Sequence, residues 1–130
     1  MKKDLISIIV PTLNASSTIK STLKSVLNQT FKNWEVIIID GYSTDRTISI
    51  IKKFNNKKFK IYSLHKKKGL AEARYTGIKK SKGNYIAFLD ADDLWNRNKL
   101  KYQLNFMKSK QIKFSATKFS ILSTTSKFLS

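Results

Sequence analysis

Apolar residues fall into short dense runs separated by polar stretches of helical spacing, and this alternation predicts strands and helices in turn. Leu5-Ile6-Ser7-Ile8-Ile9-Val10 is the first run; it stops at Pro11, which lacks an N–H for a ladder and marks the strand's expected exit. Ile19, Leu23, Val26 and Leu27 recur on one face of a helix that reaches Gln29. Trp34 to Ile39 is a second strand, ending in Asp40-Gly41. From Ser43-Thr44-Asp45, residues able to cap, a second helix runs with Ile48, Ile51 and Phe54 on its inner side. Phe59 to Tyr62 alternates like a partly exposed strand, and a helix from Leu70 to about Lys80 follows, with Gly77 permitting close packing. Tyr85 to Leu89, preceded by Gly83-Asn84, reads as a buried strand. Leu100, Leu104 and Met107 mark a fourth helix, and Phe114 to Leu122 alternates weakly as a further strand. The order β-α-β-α-β-α-β-α-β predicts an α/β fold with a mainly parallel, Rossmann-like sheet flanked by helices.

The chain has 130 residues, 41% of them hydrophobic, enough for one domain with a core. It has no cysteine, which removes disulfides, thiolate metal sites and cysteine nucleophiles and fits a reducing compartment. The apolar run at the start is too short for a signal peptide, and no segment approaches the roughly 20 residues of a membrane-spanning helix. A cytoplasmic protein is expected. The formal charge of +18 comes almost wholly from lysines scattered over several segments, the reading of a solvated basic surface. Peripheral contact with an anionic membrane at its inner face is the further expectation that this charge raises. Nucleic acid is not expected as a partner, since no nucleic-acid motif accompanies the lysines.

Acidic residues are the scarce resource. Of eight Asp and Glu, three stand between Asp90 and Asp93, directly after the strand Tyr85–Leu89. Parallel strands bring their carboxyl ends to one crevice, so Pro11-Thr12-Leu13-Asn14, Asp40-Gly41 and Asp90-Ala91-Asp92 converge there. Oxygen ligands so grouped suit Mn²⁺ or Mg²⁺, a cation normally shared with phosphate oxygens. Each residue also has a plainer use. Asp40 and Asp45 are able to cap the helix that follows, Asp93 to cap the turn toward Leu94-Trp95, and Arg74 to pair with Glu72 or Asp93. His65 reads as solvated, and Trp95 as packing.

Five motifs in order carry a resemblance: Ser7-Ile8-Ile9-Val10-Pro11-Thr12-Leu13-Asn14; Ser25 to Thr30; Glu35-Val36-Ile37-Ile38-Ile39-Asp40-Gly41-Tyr42-Ser43-Thr44-Asp45; Gly69 to Ile78 with Arg74; and Gly83 to Asp93. Together they resemble the family 2 glycosyltransferases over about Ser7 to Met107. The resemblance implies a GT-A nucleotide-diphospho-sugar-binding fold and sugar transfer from a nucleotide donor, UDP-linked by expectation, with inversion, to a glycan or lipid-linked acceptor in cell-surface polysaccharide synthesis. It implies that Pro11, Thr12 and Asn14 shape the base pocket and that Asp40 accepts the uracil N–H. Arg74 would touch the nucleotide, Asp90 would serve the ribose or the metal, and Asp92 would bind the metal directly. Tyr42 and Tyr75 depart from the family's usual residues at their positions.

Inverting members need a carboxylate that deprotonates the acceptor hydroxyl. No Asp or Glu follows Asp93, so no such base is found in this chain. The expected organisation is a single domain over 1–130, with the donor-binding part at about 5–108 and 109–130 beginning an incomplete acceptor-side region, the whole stopping short at its C-terminus. The alternative expectation is a fragment that binds nucleotide, or a basic domain that binds an anionic surface, without turnover.

Overall fold

A computed structural model describes residues 3–121 in full and the backbone of 122, 128 and 129. Four parallel strands form one sheet: β1 (Ile6–Thr12), β2 (Trp34–Asp40), β3 (Phe59–Ser63) and β4 (Tyr85–Phe88), in the order β3-β2-β1-β4. Four helices connect them or follow: α1 (Ile19–Leu27), α2 (Thr47–Lys52), α3 (Leu70–Lys80) and α4 (Lys99–Lys110).

β1 and β2 are buried along their whole length because helices cover both faces. Side chains alternate across the strands, so Ile6, Ile8, Val10, Val36 and Ile38 pack on one face with Ile19, Leu23 and Val26 of α1, Ile51 of α2, and Leu100 and Leu104 of α4. Ile9, Ile37 and Ile39 point the other way and meet Ala73 of α3. α3 sits close because Gly77 faces Ile9: a Cβ there would lie 2.4 Å from Ile9 Cγ2.

Three expectations need correction. β1 does not stop at Pro11 but runs through it to Thr12, with Pro11 opposite Ile39. Leu5 and Ile9 accept bonds on the β4 side, and Thr12 on the β2 side, so the missing donor of Pro11 faces a neighbour that already ended at Phe88. β4 is not a buried strand. It is an edge among the described residues, with Tyr85 and Ala87 against the larger core and Ile86 and Phe88 on the other face 42% and 46% exposed. The stretch Phe114 to Leu122 forms no strand of the sheet; only Ile121–Leu122 is extended, pairing antiparallel with Phe128–Leu129. Phe114 and Phe119 stand an odd number of residues apart, which would place them on opposite faces of any strand, and both are exposed. Among the described residues no helix is long and apolar enough to cross a membrane.

Candidate functional site

The carboxyl ends of β1, β2 and β4 do meet, and side chains lace their loops together. Asn14, at φ 47°, accepts from the Thr44 N–H at 2.8 Å and donates its own N–H to Ser43 Oγ at 2.9 Å. Asp45 accepts from the N–H groups of Ser16 and Thr47, at 3.1 and 2.9 Å, and so caps α2 while tying the β1 loop to it. Hydrogen bonds, first among them the Thr47 hydroxyl, hold the Asp45 carboxyl well below the usual range.

On the far side, the backbone between Asp90 and Asp92 is hung from α1. Thr18 Oγ1 and Thr22 Oγ1, one helical turn apart, both donate to the Ala91 carbonyl at 2.9 Å. Gln29, fully buried, donates to the carbonyls of Ser25 and Asn96 and accepts from the Leu100 N–H, fixing the next loop. Thr18 and Thr22 escape sequence reasoning, since a bond spanning 73 or 69 residues leaves no local pattern.

Between these loops lies an open cavity of about 400 Å³ lined by Pro11, Leu13, Asn14, Thr18, Leu70, Asp90 and Asp92, among others. Four of the expected site residues therefore reach it: Pro11, Asn14, Asp90 and Asp92. Thr12, Asp40 and Arg74 do not line it. The Thr12 hydroxyl is buried and donates to the Val10 carbonyl at 3.2 Å. Asp40 is buried, and its two oxygens share one donor, the Ser43 N–H, at 3.3 Å each. An ionised carboxylate has about four acceptor positions, so this one is underused for a buried group. Arg74 reaches Asp90, neither Glu72 nor Asp93, with Nη2 3.1 Å from Oδ1, and lies over the Phe88 ring at 5.6 Å. Its Nε is buried and has no partner among the described residues.

Of the three clustered carboxylates only Asp90 has a cation beside it among the described residues. Burial pushes the Asp93 carboxyl up, and repulsion from Asp92 and Asp90 pushes it further. Asp90 has Arg74; Asp92 has no hydrogen bond or ion pair among the described residues. Hard oxygen donors with excess negative charge fit a divalent cation. Among the described residues no three His, Cys, Asp or Glu side chains are gathered to enclose one, so donor oxygens would have to complete the shell. Trp95 packs against the core with Lys99 above its ring, and His65 is exposed, as the sequence reading had them.

A parallel sheet with such a crevice at its carboxyl edge is an open α/β domain with its ligand-binding position in the usual place, and comparison with known proteins narrows the class. The defining pattern of glycosyl transferase family 2 matches residues 7–120, and the chain belongs to that family. It is 39% identical over 122 residues to the Escherichia coli UDP-Glc:alpha-D-GlcNAc-diphosphoundecaprenol beta-1,3-glucosyltransferase WfgD, covering 94% of this chain and 48% of that protein. The structure of S. aureus TarS 1–349 in complex with UDP-GlcNAc superposes with a TM-score of 0.77 at 33% identity, over 82% of this chain and 32% of that one. The mannosyltransferase PcManGT from Pyrobaculum calidifontis, in complex with GDP-Man and Mn²⁺, gives 0.74 at 26% identity, over 78% and 32%. The fold is thus of the GT-A type, and the chain spans about half the length of the relative from E. coli.

Proposed function

We propose that this chain is the donor-binding part of an inverting, metal-dependent glycosyltransferase that uses a UDP-sugar and serves a lipid-linked or glycan acceptor in cell-envelope polysaccharide synthesis. The observation that carries the reading is the single crevice lined by Pro11, Asn14, Asp90 and Asp92, with Arg74 bonded to Asp90. The underused Asp40 carboxylate supports a role as acceptor for the uracil N–H. The unpartnered Arg74 Nε supports contact with the nucleotide once Arg74 shifts toward it, while its pairing with Asp90 orients that carboxylate. Asp92 and Asp90 would hold Mn²⁺ or Mg²⁺, which supplies charge neutralisation for the departing nucleoside diphosphate. Thr12 would act on the pocket indirectly, its carbonyl accepting from the Gly41 N–H and so joining the ends of β1 and β2.

The acceptor side is a separate matter. Asp4 pairs with Lys108, Glu35 and Glu72 pair with lysines, and Asp45 caps α2; of the carboxylates that do not line the crevice, only Asp40, assigned here to the uracil N–H, and Asp93, next to the metal ligand, have none of these engagements among the described residues. On this reading the base and the acceptor groups come from residues other than these, as befits a chain spanning about half of its E. coli relative.

The test is calorimetric titration of UDP with and without Mn²⁺, on the parent and on Asp92→Asn. Binding should require the metal, and removing one direct ligand should weaken it by roughly tenfold or more, given that even outer partners of a metal site are worth 10- to 100-fold. Metal-independent binding, or none in a folded parent, would remove the basis of the proposal.

A further inference from the structure

A second concavity lies on the opposite edge of the sheet and shares no lining residue with the donor crevice. It is an open groove of about 600 Å³ between β3 and α3. Its floor is apolar, from Leu64 and the Tyr62 ring, which lie on the α3 face of the sheet. Its rim is basic: His65, Lys66 and Lys68 come from the loop after β3, and Lys80 from α3, where it stands one turn beyond the Thr76 hydroxyl.

Like charges gathered around one hollow repel, and here little offsets them. Lys68 has Glu72 at 3.8 Å, a long and solvated pair. Lys66 and Lys80 have no carboxylate partner among the described residues. Lys80 instead rests its ammonium over the Tyr62 ring at 5.0 Å, which fixes a positive charge at the groove wall. No carboxylate lines the groove itself.

We propose that this groove binds a phosphate-bearing amphiphile, with the phosphate between Lys66 and Lys80 and the adjoining apolar portion on Leu64 and Tyr62. Cations on a rim above an apolar floor match a molecule that is charged at one end and oily at the next, and mismatch a fully polar anion. A membrane phospholipid headgroup and a soluble phosphate compound both offer the anionic half of that chemistry.

Two probes separate them, both used with EDTA so that the donor crevice holds no metal: flotation with phosphatidylcholine vesicles with and without phosphatidylglycerol, and titration of inorganic pyrophosphate. The variant is Lys66→Gln/Lys80→Gln; the comparator, with the same loss of charge, is Lys20→Gln/Lys101→Gln, exposed lysines on α1 and α4 across the sheet. At roughly fivefold per lysine near an anionic surface, the groove pair should weaken vesicle binding by about 25-fold and the comparator far less. Vesicle binding lost in the groove pair, without pyrophosphate binding, assigns the groove to lipid; pyrophosphate binding lost in the groove pair shows that a fully polar anion suffices and overturns the amphiphile. Equal losses in the two pairs, or no binding of either probe by the folded parent, overturn the proposal.

Discussion

Gly77 decides how near α3 can lie to the sheet. An added methyl would sit 2.4 Å from Cγ2 of Ile9, a buried β-branched side chain with little rotamer freedom. Overpacking of this kind costs about 1–3 kcal/mol, while replacing glycine inside a helix returns up to about 1 kcal/mol. Sterics should win, so Gly77→Ala is expected to lower stability by about 1–2 kcal/mol in urea denaturation; an unchanged midpoint would mean that Ile9 can step aside. Glu35 offers a test by pH. Burial alone would raise its carboxyl, but bonds from Lys60, the Ser7 hydroxyl and the Lys82 N–H outweigh that and leave it below its ordinary value of 4.5. A carboxyl that ionises more readily folded than unfolded adds stability in full above the unfolded value, and that addition is lost as pH falls through the folded one. Glu35→Gln should therefore lower stability at neutral pH and flatten its decline in the acid range below 4.5, as followed by thermal unfolding. A parallel decline in both proteins would assign the acid sensitivity elsewhere.

The elements that sequence patterning defines best are those whose neighbours are constant along their length. α1 was legible because one face meets a core and the other meets water, and β2 because both of its faces are covered. Patterning fails where burial depends on what stands beside a strand: Tyr85–Phe88 has the composition of an interior strand yet lies at an edge, and Phe114 and Phe119 find no face to cover. The candidate site divides in the same way. Asp90, Asp92, Pro11 and Asn14 were readable because topology alone delivers strand ends to one place. The α1 threonines that hold the Ala91 carbonyl were not, because their partner is remote in sequence. Their role can be measured without touching a proposed ligand. With each bond contributing about 1 kcal/mol, Thr18→Val/Thr22→Val should cost about 2 kcal/mol of stability and weaken Mn²⁺-dependent UDP binding several-fold. Serine at both positions should restore both properties. Lost stability with undiminished binding would show that α1 supports the fold without positioning the carboxylates.

At the scale of the whole molecule, charge and sheet edges work against each other. With a net charge of +18, copies of the chain repel at low ionic strength. The two edges are defended unequally. β3 carries Lys60 within it and Lys57 and Lys58 beside it, the usual protection of an edge. β4 has no charged residue from Tyr85 to Phe88, no second partner strand among the described residues, and Ile86 and Phe88 half exposed. An unpaired backbone row next to an apolar patch is a template for association. Repulsion should keep the isolated chain monomeric in dilute buffer. Salt shortens the reach of that repulsion to about 3 Å at 1 M without weakening apolar contact, so association should increase with ionic strength. Ile86→Lys adds one charge to the edge and removes part of the patch, and the variant should stay monomeric in salt where the parent dimerises, as read by sedimentation velocity. If the variant associates as readily as the parent, contact is made elsewhere; if association falls with salt, charge pairing drives it, and the β4 edge is not the template.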